Sequence, residues 1–98
     1  MLVVVPVALS DAALVNLVIT VTEAKTQALS EAGVPGTGTS SDAVCLACPV
    51  ARAGEAGDAA EVEPFGGPRS VWGARAARAV HAAVGAGTAA WLQRHPPA

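Results

Sequence analysis

Ninety-eight residues with a formal net charge of −2 make one small domain at most. Its apolar fraction of 52% includes 23 alanines, and Phe65, Trp72 and Trp91 are the only aromatic residues, so the side chains available for a core are few. At 14% charged the chain is too apolar for a disordered segment, and it has no Lys/Arg cluster to neutralise the phosphates of a nucleic acid.

Leu2-Val3-Val4-Val5 is a continuous apolar, β-branched-rich run, which predicts a strand buried on both faces. Pro6 ends it. The stretch from Met1 to Leu9 has no basic flank and is cut by that proline, so it does not read as a signal peptide. No run approaches the roughly 18 apolar residues of a membrane helix. The expected compartment is therefore cytoplasmic, with Cys45 and Cys48 reduced.

Ser10-Asp11 supplies an N-cap and an acidic first turn for a helix. The helix is expected to run to about Ala32, with Gly33 as its stop and Pro35 just beyond. Leu14, Leu17, Val18, Val21 and Leu29 mark its apolar side. A Gly/Thr/Ser loop over residues 33–42 follows, then an apolar strand from Ala43 to Cys48 closed by Pro49. Ala51 to Glu61 turns to Ala, Gly and charge, the composition of a solvated surface loop. Val62 to Phe65 reads as a short edge strand before the Gly66-Gly67-Pro68 turn.

Ser70 caps a second long helix with Val71, Ala74, Ala77, Val80 and Val84 inward. Gly85 and Gly87 weaken its end by about 1 kcal/mol each against alanine. Residues 1–92 are expected to form the domain, and Gln93 to Ala98 a polar tail. The class is α/β: short strands with two long helices packed on a small sheet. Two helices cover one face of such a sheet, whereas the strands read as buried on both. The expectation is an incomplete domain, completed by a second copy, a partner or a missing N-terminal segment.

Three stretches carry a family resemblance. Thr22-Glu23-Ala24-Lys25-Thr26-Gln27 lies in the first helix, and Gly36-Thr37-Gly38-Thr39-Ser40-Ser41-Asp42-Ala43-Val44 spans the loop and strand entry. Phe65-Gly66-Gly67-Pro68-Arg69-Ser70-Val71-Trp72-Gly73 leads into the second helix. In this order they resemble the adenosylcobinamide amidohydrolase family of corrinoid salvage, and specifically the C-terminal portion of its longer members.

The resemblance implies hydrolysis of the amide joining the corrin propionyl side chain to aminopropanol. The product, adenosylcobyric acid, re-enters cobalamin synthesis. The implied partner is a corrinoid small molecule. Neither a metal nor another cofactor is expected, and neither a nucleic acid nor a membrane. Amide hydrolysis needs an attacking oxygen, a proton donor for the leaving amine and donors for the oxyanion. The resemblance points to Glu23, Lys25, Thr39 and Asp42 as the catalytic candidates, with Thr22, Gly36, Thr37, Gly38, Gly67 and Ser70 as substrate-binding candidates.

Glycines in the Gly36–Thr39 loop permit the positive φ of an N–H nest. Asp42 reads as a general base or as a brace for that loop, and Thr37 or Thr39 as a nucleophile with no base beside it in sequence. Glu23 and Lys25 lie about 200° apart around a helix and do not share a face; Thr22, Lys25 and Thr26 share one and Glu23, Thr26 and Gln27 another, and helix geometry does not choose which of the two meets the loop.

Cys45-x-x-Cys48 reads as two inert thiols, because His81 and His95 do not complete a zinc pattern. His81 sits among alanines as a boundary residue, and Arg69, Arg75 and Arg78 as a solvated helix side or contacts for a corrin rim. The glycine-rich loop lacks the Gly-Lys-Ser/Thr ending of a P-loop. The alternative to an enzyme is a non-enzymatic corrinoid-binding or interaction module that completes a partner's sheet.

Overall fold

A computed structural model describes residues 1–51 and 61–97. Four elements follow in chain order: strand β1 (Leu2–Val4), helix α1 (Asp11–Glu31), strand β2 (Cys45–Ala47) and helix α2 (Val71–Arg94). This is the α/β class that the patterning predicts.

The strands pair in parallel, Leu2 opposite Cys45, Val3 opposite Leu46 and Val4 opposite Ala47. Backbone bonds from Cys45 N–H to the Met1 carbonyl (2.9 Å) and from Val5 N–H to the Ala47 carbonyl (2.8 Å) extend the ladder at each end. The edge strand expected at Val62–Phe65 reduces to one parallel bridge between Leu9 and Glu63.

Both strands are covered on one face only, which corrects the reading of fully buried runs. Val3, Val5 and Leu46 pack toward α1 and α2. Leu2 and Val4 on the opposite face are 66% and 68% exposed, and Cys45 and Ala47 beside them are exposed too. The cause is the pleat: successive side chains alternate between faces, and among the described residues both helices serve one of them.

Ser10 caps α1 as expected, its Oγ accepting the Ala13 N–H at 3.0 Å. The buried stripe is Ala13, Leu17, Thr20, Val21, Ala24 and Ala28. Val18 belongs to the exposed side, contrary to expectation, because the stripe is centred on Leu17, Val21, Ala24 and Ala28 and Val18 projects away from it. Small residues at 24 and 28 let α2 approach closely. The helix ends in a Schellman motif: Val34 N–H reaches the Leu29 carbonyl and Gly33 N–H the Ser30 carbonyl, both at 3.0 Å. Gly33 takes φ +77°, which its lack of a Cβ allows.

On α2 the buried residues are Gly73, Ala76 and Val80. Ala74, Ala77 and Val84 are half-buried, and Val71, expected inward, is exposed. Contact at the start of this helix is set by the absence of a side chain: a Cβ on Gly73 would collide with the Gly67 carbonyl and with Ser70 Oγ. Gly85 and Gly87 do not end the helix, which continues through Gln93 and Arg94, the first residues of the expected tail. His95 closes it, its N–H on the Trp91 carbonyl at 3.0 Å and its ring stacked on Trp91 at 4.1 Å.

The core is Val5, Leu9, Ala13, Leu17, Val21, Ala24, Ala76 and Val80, mostly one helix seam between α1 and α2 with β1 beneath. Of the surface loop expected at Ala51–Glu61, both end residues are exposed and residues 52–60 lie outside the described ones. Among the described residues, no helix is long and apolar enough to cross a membrane.

Candidate functional site

The Schellman turn at Gly33 releases the chain into a loop that returns along α1 before entering β2. At its end Asp42 meets Lys25 of α1: Lys25 Nζ lies 2.6 Å from Asp42 Oδ2. The other carboxylate oxygen, Oδ1, accepts both the Thr39 N–H (3.1 Å) and the Thr39 hydroxyl (2.9 Å). Asp42 N–H in turn donates to the Thr39 carbonyl at 3.3 Å. Three donors therefore converge on one carboxylate.

Each donor favours the ionised form. The Lys25 ammonium is the strongest influence, followed by the Thr39 N–H and hydroxyl, and together they lower the Asp42 pKa to about 2. Such a group is a carboxylate throughout the neutral range and a poor proton acceptor there. Asp42 thus orients Lys25 and Thr39.

Gly38 fits the same cluster. A Cβ at that position would collide with the Asp42 carboxylate, 2.8 Å from its Cγ, and sit 3.1 Å from Lys25 Nζ. Gly36 differs: its φ of +126° calls for glycine, yet nothing lies within 4 Å of the missing Cβ. A cavity of about 570 Å³ opens beside the cluster, with Lys25, Thr39 and Asp42 at its polar end and Leu29, Val44 and Val84 among its apolar walls. It lies at the amino ends of both strands.

The cavity offers a cation and hydroxyl groups next to an apolar wall. A fixed ammonium stabilises negative charge that develops on an oxygen placed beside it. The hydrogen of Thr39 is committed to Asp42, so its lone pairs remain to accept a hydrogen bond.

Of the residues expected in a site, the structure brings Lys25, Gly38, Thr39 and Asp42 together. Thr22 lies one turn before Lys25, half-buried, its hydroxyl donating to the Val18 carbonyl at 2.7 Å. Glu23 points elsewhere, into a shallow groove that Thr22, Thr26, Gln27, Ser30 and Glu31 also line, as its separation of about 200° from Lys25 requires. Gly36 and Thr37 are exposed along the loop.

Gly67 and Ser70 stand apart from this cluster. Ser70 Oγ accepts the Gly73 N–H at 3.0 Å and donates to the Gly67 carbonyl at 2.7 Å, an N-cap for α2. The adjoining Gly66 packs onto α1 at Leu17, Asn16 and Thr20: its N–H reaches Asn16 Oδ1 (3.2 Å) and its carbonyl accepts from the Thr20 hydroxyl (2.7 Å). Leu17 and Lys25 are about 12 Å apart along the helix axis. Gly66-Gly67-x-x-Ser70-x-x-Gly73 thus seats one helix on the other.

Sequence reasoning missed Leu29, Val44 and Val84 as cavity walls. Leu29 had a signal in its four-residue spacing from Lys25; the other two lie on separate elements. His81 bridges the helices, its Nε2 2.6 Å from Glu31 Oε2. The Gln27 side-chain amide, then His81, hold the Glu31 carboxyl below its ordinary pKa. The Arg75 guanidinium lies over the Trp72 ring at 4.5 Å. Both cysteines are free, and among the described residues no group of three or more His, Cys, Asp or Glu is placed to hold a metal.

No curated protein and no solved structure matches the chain. A family model does, over residues 1–96, which takes in both helices, both strands and the Lys25–Asp42 cluster. Its description is adenosylcobinamide amidohydrolase, the resemblance that the helix and loop motifs carry, and the chain belongs to that family.

Proposed function

We propose that this protein hydrolyses the amide between the corrin propionyl side chain of adenosylcobinamide and its aminopropanol arm. Water adds across the C–N bond: hydroxyl goes to the carbonyl carbon, giving adenosylcobyric acid, and hydrogen to nitrogen, giving aminopropanol. The observation that carries this reading is the convergence of Lys25, Thr39 and Asp42, from the helix and loop motifs, at the end of one cavity.

In this reading Lys25 stabilises the oxyanion of the tetrahedral intermediate. Thr39 Oγ accepts a hydrogen bond from the attacking water, and Asp42 fixes both partners. Gly38 provides the space in which the three meet, whereas Thr22 lines the groove of Glu23 and not this cavity. Glu23 is left out because it faces another groove.

A second reading has a specific observation in its favour. A parallel sheet is normally covered on both faces, and Leu2 and Val4 are bare. A corrinoid-binding module that completes a partner's sheet, or the C-terminal portion of a longer enzyme, would cover them. Incubation with adenosylcobinamide separates the readings: release of adenosylcobyric acid identifies the enzyme, and corrinoid binding without turnover identifies the module.

A further inference from the structure

The outward side of α1 carries an unusual surface for a small protein. Val15, Val18 and Ile19 are 68%, 42% and 54% exposed, at three- and four-residue spacings that place them side by side. Thr22 and Thr26 continue this surface toward the C-terminus, where they line a shallow groove with Glu23, Gln27, Ser30 and Glu31. The hydroxyl of Thr22 donates to the Val18 carbonyl at 2.7 Å and that of Thr26 to the Thr22 carbonyl at 2.9 Å. Both residues are half-buried, and with their hydrogens committed to the helix their oxygens keep lone pairs with which to accept.

The stripe does not end in open solvent. Val18, Thr22, Lys25 and Leu29 follow one another at spacings of four, three and four, which makes a single ridge. Lys25 and Leu29 line the cavity that holds Asp42 and Thr39. From Lys25 back to Val18 is about 10 Å along the helix, and back to Val15 about 15 Å. A substrate amide seated at the cluster therefore has its bulk over an apolar strip edged with hydrogen-bond acceptors.

A corrin macrocycle has the complementary chemistry. It is an apolar disc whose edge carries amide groups, and each amide NH₂ is a donor that needs an acceptor. A cavity of about 570 Å³ accommodates the severed arm better than the whole macrocycle, so most of the ligand must rest on the surface outside it. Resting on the proposed amidohydrolase reading, we propose that the outer face of α1, from Val15 to Thr26, is the seat of the corrin ring. Val15, Val18 and Ile19 contact its apolar face, and Thr22 and Thr26 accept from its amides. The ring is bound beside the catalytic cluster while its propionyl arm reaches past Lys25 into the cavity.

Equilibrium dialysis of adenosylcobinamide, read by its visible absorbance, tests this on the full chain and on Val15→Asp and Ile19→Asp. Both positions are exposed, so each variant is expected to keep its fold by circular dichroism, and light scattering gives the mass in each case. Corrinoid affinity is expected to fall tenfold or more in each variant at unchanged mass. Val15→Lys is expected to do the same, which shows that lost apolar contact and not charge sign is responsible. Variants that bind as tightly as the parent would overturn the seat while leaving the amidohydrolase reading intact. A parent dimer that the variants dissociate, with affinity unchanged, would assign the stripe to a second copy and overturn it too. A parent chain that binds no corrinoid removes both the seat and the reading beneath it.

Discussion

Lys25 and Asp42, seventeen positions apart, are joined by an ion pair of 2.6 Å that ties α1 to the loop entering β2. The contact holds two family motifs at one point, and the proposed chemistry depends on it. Lys25→Met removes the ammonium and is expected to lower turnover by about 100-fold or more, the scale of losing one oxyanion donor. Lys25→Arg keeps the charge but replaces a point donor with a planar fork, and is expected to restore only part of the rate. Steady-state kinetics on adenosylcobinamide, with melting curves to confirm folding, check both.

Two glycines of one loop are expected to respond differently to alanine. At Gly38 the new methyl group meets the Asp42 carboxylate and Lys25 Nζ, so activity is expected to fall at least tenfold as the cluster is forced apart. At Gly36 there is open space but a positive φ. The cost there is backbone strain of about 1 kcal/mol or more, with kcat retained in the folded fraction. Thermal melts beside single-temperature kinetics distinguish the two, and equal loss of activity would contradict the contrast.

Acid is expected to open the cluster late. The Asp42 pKa falls to about 2 in the folded protein, from about 3.9 for a free aspartate. A lowered folded-state pKa contributes stability that is fully present above the unfolded value and is lost as pH falls through the folded one. The contribution is therefore constant from neutrality to about pH 5 and disappears between about pH 4 and pH 2. The melting-temperature difference between the parent and Asp42→Asn is expected to be flat in the first range and to close in the second. A difference that closes near pH 6 would mean another group titrates.

Thr20 is the buried polar residue of α1, and its hydroxyl reaches the Gly66 carbonyl at 2.7 Å. Thr20→Val strands that carbonyl and is expected to cost about 1–3 kcal/mol. Thr20→Ser retains the bond and should cost less. Gly66→Ala would drive a methyl group into the Ala13 carbonyl and to 3.0 Å from Leu17 Cβ, and overpacking of this kind costs about 1–3 kcal/mol. Denaturant melts at neutral pH give all three values. Neither Thr20→Ser nor Thr20→Val is expected to change KM, because Thr20 lies about 7.5 Å from Lys25 along the axis and about 140° around the helix from it, on the buried stripe.

The two helices were legible because their ends carry signals that act locally. Ser10 and Ser70 cap their own first turns, and Gly33 with Pro35 closes α1 within six residues of Leu29. The buried side of α2 was legible in part: Val80, Ala77 and Val84 face the core as expected, whereas Val71 does not, and Gly73 and Ala76 were not read as buried. Alanine stands at 74, 76, 77, 79, 82 and 83, so no side of that region stands out by hydrophobicity, and the seam is chosen by Gly73 and its fit to Gly67. The valine run of β1 misled for a related reason: a run apolar at every position does not reveal which face has a cover, and here only the face of Val3 and Val5 does.

The candidate site was legible as residue types and not as an arrangement. Lys25 and Asp42 each belong to a motif, yet their contact depends on the path of a ten-residue loop that local spacing does not determine. Glu23 could be separated from Lys25 by helix geometry alone, as the structure has it. Gly67 and Ser70 share a motif with no such geometric test. Ser70 was legible as the α2 cap; that its hydroxyl also donates to the Gly67 carbonyl became visible only with the turn in place.

The most direct test of the account is incubation of the purified chain with adenosylcobinamide, followed by chromatography, for the parent and for Lys25→Met. The account predicts adenosylcobyric acid and aminopropanol in equal amounts from the parent, and at least 100-fold slower release from the variant. Equal rates from the two proteins, or corrinoid bound and recovered uncleaved from both, would contradict it.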